Sequence, residues 1–331
     1  MRPLTTCKPS RSSSSDAGGR EPGGLQHEAL LYDGGDDGFV ACVRAPLRQA
    51  LGAGAAVLVA VSPPRAAALR EELGERCPQV AFAELAQLGR NPARLLALWR
   101  EFAGERAHRG EGPALGICEP VWPGRTPAEL EECERHEALV NVAFAEGPRW
   151  RLLCAYDLDG LEQDAIEGAQ RTHPLLWREG ASAPNARYAG GADPTCVFEG
   201  ALPEPGAPVE QLPFALADLG AVRRAIGAWA AGQALAEPQT EELVLAVDEL
   251  AVNSVRHGGG GGTLRWWREG ARLLCEVRDA GRIEQPLVGR LRPAAGAVGG
   301  RGLWLANQLC DLVQIRSSAQ GTVVRLHKLL G

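Results

Sequence analysis

The sequence predicts an α/β protein built as two domains of different architecture. Three observations carry this. Over roughly the first half, short apolar strand patterns alternate with helical ones, the signature of a largely parallel sheet covered by helices. A segment rich in Pro, Gly and Ala at 190–213 then shows no helical periodicity and reads as a linker. Beyond it the order changes to two helices, a hairpin, a helix and a second hairpin, which predicts a two-layer α+β sandwich.

In chain order, the first ordered stretch begins at "HEALLYD" (27–33), followed by apolar runs at 55–62, 79–85, 113–120 and 149–157. Helical patterns fall between them at 39–52, 64–74, 92–108 and 126–144, with one more at 161–170. After the linker, 218–232 and 240–257 read as helices. Thr240 is the expected N-cap of the second, Glu241 and Glu242 suit its positive end, and Gly258 is its stop. "TLRWWRE" and "ARLLCEVRD" turn about Gly270, a Gly- and Pro-rich stretch (281–300) leads to a helix at 302–311, and a closing hairpin ends the chain. The expected domains are a disordered tail (1–24), a first domain (25–190), a linker (191–211) and a second domain (212–331).

Composition narrows function by exclusion. With 331 residues and 45% hydrophobic residues the chain can form two packed cores. A net charge of -6 gives no electrostatic case for direct nucleic-acid or anionic-membrane binding. The longest apolar stretch, "AAVLVAV", is too short to span a bilayer, and the N-terminal tail has no apolar segment of secretory type. The 9 cysteines are scattered without paired CxxC motifs and read as reduced thiols of a cytoplasmic protein; Cys133 and His136 alone are a poor zinc signal. Lys8 and Lys328 are the only lysines and neither follows a glycine-rich loop, so a GxxxxGK[ST] loop and a kinase-type strand lysine are both absent, as is a GxSxG elbow.

Chemistry concentrates in the second domain. "VDELAVNSVRHGG" (247–259) places Glu249, Asn253 and His257 four residues apart, a single stripe beside the apolar face of Leu243, Val247, Leu250 and Ala251. "VRDAGRI" puts Asp279 at a strand end followed by Gly281, and "GGRGLWL" sets Gly300, Arg301 and Gly302 where a helix begins. For a nucleotide ligand each has a use. Asp279 accepts a hydrogen bond from an exocyclic amine, and Gly281 lets a base approach the backbone. The N–H groups around Gly300 and Gly302, with the charge of Arg301, form an anion site. Asn253 is a neutral oxygen ligand for Mg²⁺, and Glu249 is a general base.

The ordered set closely resembles the ATP-binding domain of the GHKL superfamily, in its anti-sigma-factor serine kinase branch. "DELAVNSVRHGG" resembles the N box, "VRDAGRI" the first glycine box and "GGRGLWLANQLCD" the second. The resemblance covers 212–331 and implies a Bergerat-type sandwich with ATP under a lid at roughly 282–300. It implies Mg²⁺ on Asn253, Glu249 as base, Asp279 on adenine, and Gly281, Gly300 and Gly302 shaping the pocket. One departure stands out: the first box commonly runs DxGxG, and Ile283 replaces its second glycine, which bears on lid geometry and on transfer more than on binding.

The first domain offers His27, Glu119, Trp122 and His173 as candidate site residues. "HEALLYD", "CEPVWPGRTPAELEECERHEALVN" and "RWRLLCAYDLDGLEQDAIEGAQRTHPLL" resemble the MEDS sensory domain, a degenerate RecA-like module proposed to sense small, often hydrocarbon-like molecules. By that resemblance, 51–64 occupies the place of a phosphate loop without its Lys or Ser/Thr. Together the two resemblances imply a cytoplasmic bacterial regulator. A sensor ligand would control an ATP-dependent domain that sequesters a sigma factor, phosphorylates Ser/Thr on an anti-anti-sigma (STAS-type) antagonist, or does both, and a homodimer is compatible with that branch. The alternatives are a non-catalytic ATP-binding interaction module and a histidine-kinase-type catalytic domain.

Overall fold

The computed structural model describes residues 24–109, 113–178, 180–190, 194–293 and 300–330. The expected N-terminal tail falls almost wholly outside them, as does part of the expected lid. The described chain divides into two compact units that meet in sequence at Pro194 and Thr195.

The first unit runs β1 (Leu25–Tyr32), α1 (Gly35–Gly52), β2 (Ala56–Val61), α2 (Pro63–Leu73), β3 (Val80–Glu84), α3 (Leu85–Leu88), α4 (Ala93–Arg109), β4 (Ala114–Cys118), α5 (Pro127–Ala143), β5 (Trp150–Asp157), α6 (Gln163–Thr172), β6 (Leu175–Arg178) and β7 (Ala181–Pro184). Its seven-stranded sheet has the order β3-β2-β4-β5-β1-β6-β7. Every pairing is parallel except the last, β6 with β7. Central strands such as β4 are buried along their whole length, as a sheet covered on both faces requires. Leu30, Phe39, Val43, Leu69, Ile117 and Leu153 anchor the core on the α1/α2 side. Thr126 opens α5 through a capping box with Glu129, the N-cap oxygen accepting from the Glu129 amide while the glutamate reaches back to Thr126 N at 2.7 Å.

The sheet topology relocates the tight strand-to-helix turn. Residues 51–64 span the end of α1, all of β2 and the start of α2, so they form no single loop. The turn between β1 and α1 is Asp33–Gly34, with Gly34 left-handed at the helix start and Asp36 and Asp37 in the first turn. Those carboxylates repel an anion at that helix end.

The second unit contains β8 (Glu210–Ala215), α7 (Leu219–Gly232), α8 (Glu237–His257), β9 (Gly261–Glu269), β10 (Arg272–Asp279), α9 (Arg301–Leu309), β11 (Leu312–Ser318) and β12 (Gly321–Leu329). The sheet order is β11-β12-β10-β9-β8, with every pairing antiparallel. Val222, Ile226, Leu243, Val247 and Leu250 bury one face of α7 and α8. Two local expectations are corrected. Helix α8 begins a turn before Thr240, at Glu237 with Ala236 as N-cap, because Pro238 is tolerated in a first helical turn. Of the five glycines 258–262, only the first three make the turn. Gly261 and Gly262 are already strand, opposite Ala215 and Phe214, and so close to that strand that a Cβ on Gly261 would lie 2.3 Å from the Phe214 carbonyl oxygen.

One face of this sheet carries a charged lattice. Glu276 is wholly buried and accepts from Arg265 at 2.9 Å, Arg278 at 2.6 Å and Arg325 at 2.6 Å. Arg325 also lies over the Trp267 ring, 5.0 Å from its centroid. Two residues of the expected linker are built into this face: Glu204 pairs with Arg265 and Arg278, each at 3.0 Å, and the Pro203 carbonyl accepts from Arg325 at 2.9 Å. Among the described residues no helix is long and apolar enough to cross a membrane.

Candidate functional site

In the second unit, α8 and α9 meet over the predicted stripe. Glu249 and Asn253 are half-buried and His257 is exposed at the helix end. Neighbouring Asp248 points elsewhere, into an ion pair with Arg223 at 2.8 Å. Gly302 is buried in the first turn of α9. A Cβ there would sit 2.7 Å from Glu249 Oε2 and 2.8 Å from Asn253 Nδ2, so the absence of a side chain is what lets the start of α9 reach both groups. Gly300 caps α9 in the left-handed conformation at φ 76°, a geometry that favours glycine, and Arg301 is exposed beside it. Among the described residues neither Glu249 nor Asn253 has a hydrogen-bond or ion-pair partner.

Asp279, by contrast, is fixed. The Ser254 hydroxyl, one residue beyond Asn253 on α8, donates to Asp279 Oδ2 at 2.6 Å, and the Gly281 amide donates to Oδ1 at 2.8 Å. Gly258 permits the approach, since its Cβ would lie 2.5 Å from the Asp279 carboxyl carbon. The segment following Gly281 is held by a hydroxyl relay. Thr322 donates to the Gly281 carbonyl at 2.8 Å, Ser317 bonds Thr322 at 2.8 Å, and the Ile283 amide donates to Ser317 Oγ at 2.8 Å. Ile283 keeps an ordinary negative φ, so replacing glycine there costs no left-handed strain. The expected lid segment continues from here, and its residues 294–299 lie outside the described chain.

This end of the unit is suited to a polyanion with a hydrated divalent cation. A helix start offers free N–H groups, a carboxamide oxygen is available on Asn253, and a carboxylate stands one helical turn away. The clamped Asp279 keeps acceptor capacity for a donor on an aromatic base. The residues present therefore fit a Mg-nucleotide. Ser254, Ser317, Thr322 and Gly258 escaped the sequence reading. Of these only Ser254 left a signal, as a hydroxyl on the otherwise apolar face of α8.

The first unit separates its four candidates into three places. His27 on β1 and His173 after α6 converge on one carboxylate: each Nε2 lies 3.1 Å from Glu137 Oε2, and the rings stand 4.0 Å apart. Cys154 Sγ is 3.5 Å from His27 Nε2. Burial opposes the charged form of Glu137, but the two histidines outweigh it and hold the carboxyl well below its ordinary value. Burial, with His27 beside it, lowers His173. Glu119 belongs to a different cluster, where Arg65 pairs with Glu119 and, at 2.8 Å, with Asp157, and the Ser62 amide donates to Glu119 at 2.8 Å. Tyr32 borders that guanidinium and is pushed up to about 12 by burial. Trp122 stands apart from both, half-buried with the Arg125 guanidinium 3.5 Å from its ring centroid. Glu137 was not singled out by sequence because it lies 110 positions from His27, and nothing local marks it. The nearby Cys133 thiol donates instead to the Pro120 carbonyl at 3.3 Å.

Comparison with known proteins agrees with this division. Residues 26–174 match the model of MEDS, the methanogen/methylotroph DcmR sensory domain, and residues 212–328 match that of the histidine kinase-like ATPase domain. No curated protein matches the chain. Among solved structures, a similarity is found to the RsbU and RsbW domains of Rv1364c from Mycobacterium tuberculosis. Identity is 21% and the TM-score 0.29, over 37% of this chain and 32% of that one. The chain thus spans about a third of that relative. The protein joins a MEDS-type sensory domain to a histidine kinase-like ATPase domain of the GHKL type.

Proposed function

We propose that the second domain binds Mg–ATP between α8 and α9 and uses it in protein-directed regulation of the anti-sigma type, under control of the MEDS domain. The observation that carries this reading is the pair Glu249 and Asn253, half-buried, their side chains without partners among the described residues, and facing the buried Gly302 at the start of α9. When bound, Mg–ATP supplies a transferable phosphoryl group whose charge the metal partly neutralises. Asn253 would give the metal an oxygen ligand, and the amides at Gly300–Gly302 with Arg301 would hold the phosphates. Asp279, its carboxylate set by Ser254 and Gly281, would accept a hydrogen bond from the adenine amine. Glu249 would take the proton from a Ser or Thr hydroxyl on an antagonist protein of anti-anti-sigma type, while a sigma factor is the partner held in the ATP-bound state.

Titration calorimetry of the full chain with ATP, with and without Mg²⁺, tests the site. The expected result is Mg²⁺-dependent binding that falls at least about tenfold in both Asn253→Ala and Asp279→Asn, since each removes one directed contact. Folded wild type that binds no ATP would overturn the proposal. Phosphorylation of an antagonist by wild type and not by Glu249→Ala separates a kinase from an ATP-gated binding module. The second reading has one observation in its favour, Ile283 where the glycine box commonly keeps flexibility. Histidine autophosphorylation is disfavoured because, of the histidines whose side chains are described, His27, His136, His173 and His327 are buried, and the exposed His257 ends α8, the helix that carries Glu249 and Asn253, and not a separate phosphoacceptor helix.

A further inference from the structure

We propose that His27, Glu137, Cys154 and His173 form a buried metal site in the sensory domain, taking one Zn²⁺-class divalent cation. The four side chains come from β1, α5, β5 and the residue following α6, and one donor atom from each lies within 4.8 Å of the other three. All four residues are buried. With metal–nitrogen and metal–oxygen bonds of about 2.0–2.1 Å and a metal–sulfur bond of about 2.3 Å, tetrahedral edges are about 3.3 Å for N/O pairs and about 3.6 Å for N/S pairs. The observed edges are 3.1 Å from each imidazole to Glu137 Oε2 and 3.5 Å from His27 to Cys154. Three of the six edges thus match a tetrahedral coordination shell, and all six lie within 4.8 Å, so modest side-chain adjustment closes the shell around an ion.

The surrounding groups set the tautomers that ligation needs. His173 Nδ1 is 2.8 Å from the Ala169 carbonyl, which can only accept, so Nδ1 carries the hydrogen and Nε2 presents its lone pair. That Nε2 is buried and makes no hydrogen bond, although Glu137 is within 3.1 Å. The Asn141 amide nitrogen donates to the carbonyls of Glu137 and Thr172, at 3.2 Å and 2.7 Å, which fixes its oxygen as an acceptor. His27 Nδ1, 3.0 Å from that oxygen, therefore carries a hydrogen, and His27 Nε2, which faces inward 3.1 Å from Glu137 Oε2, is the nitrogen that a metal ion would take once it gives up any proton. Histidine nitrogens oriented by a carbonyl and an amide, converging on a carboxylate and a thiol, form a donor set for Zn²⁺ rather than for Mg²⁺ or Ca²⁺.

Charge also balances. A divalent cation with the Glu137 carboxylate, the Cys154 thiolate and two neutral imidazoles sums to zero, the least costly charge for a buried site, and binding releases the Cys154 proton to solvent. A cavity of about 20 Å³, room for about one water, is lined from exposed Asp164 through Glu134 to Glu137, giving an acidic approach. The ion would tie four separate elements of the sensory domain together.

The test is metal analysis of the full chain purified without chelators, followed by Co²⁺ titration of the metal-free protein. Expected are about one zinc per chain and, with Co²⁺, a tetrahedral visible spectrum with a thiolate charge-transfer band. Cys154→Ser should abolish that band while Co²⁺ still binds, and Asn141→Ala, which leaves all four ligands in place, should weaken binding roughly 10- to 100-fold. Folded wild type that retains no zinc and gives no cobalt spectrum would overturn the site. So would a charge-transfer band that persists in Cys154→Ser. Because wild type alone decides the first point, a variant that fails to fold does not rescue the proposal.

Discussion

Two glutamates in the ATPase-type domain show how the same side chain is used in opposite ways. Glu276 is wholly buried and held by three arginines, with every lone-pair direction engaged by a guanidinium. Glu249 is half-buried, and no described residue bonds to it. A buried charge that is saturated serves the fold. One that is partly desolvated and left unpaired is held ready for something else, because desolvation without a partner is costly and persists only where the fold has a use for it.

The comparison can be broken at four points, the largest effect first. Glu276→Ala should destabilise the chain by about 3–5 kcal/mol in denaturant unfolding, since it strands three guanidinium groups on one face; a change below about 1 kcal/mol would show that the lattice is not structural. Gly302→Ala should cost about 1–3 kcal/mol and weaken nucleotide binding together, because the new methyl collides with Glu249 and Asn253. Third is a pH effect in the same saturated region. Burial, then Arg325, lowers His327 from 6.5 to about 3, so the unfolded chain takes up a proton that the folded chain refuses. Stability should be complete above about pH 6.5, decline as pH falls toward about 3, and decline less in His327→Gln. Smallest is Glu249→Ala, expected to shift stability by less than about 0.5 kcal/mol while removing any phosphotransfer. A large loss of stability there would erase the distinction between the two glutamates.

Much of this was readable in advance because it is periodic or local. The alternation of apolar runs and helical patterns marked five of the seven strands of the first unit and each of its helices but the short α3; the brief edge strands β6 and β7 gave no comparable pattern. The ExxxN stripe, the DxG at a strand end and the glycines opening α9 lie close enough in sequence to be read as an ordered set. What remained hidden is long-range. Glu137 reaches His27 only through the parallel pairing of β1 with β5 and the packing of α5 over the sheet, and no spacing rule encodes that. Thr240 misled because a good capping residue one turn into a helix looks the same as one at its start; Pro238, compatible with the first turn, was the better marker. Glu119 and His173, equal candidates in sequence, part company because one follows β4 beside Arg65 and the other follows α6.

The way Pro203 and Glu204 lie on the arginine lattice also sets where the ATPase-type domain can be cut. A fragment beginning at residue 212, where the family match starts, leaves Arg265, Arg278 and Arg325 with a single carboxylate between them. It should then hold polyanions such as heparin or nucleic acid in a salt-sensitive way that the intact chain, with its net charge of -6, has no reason to share. Beginning the fragment upstream of Leu202 keeps the second carboxylate, Glu204, and the Pro203 carbonyl on that face, and nucleic-acid retention by the shorter piece would report a severed contact, not a biological partner.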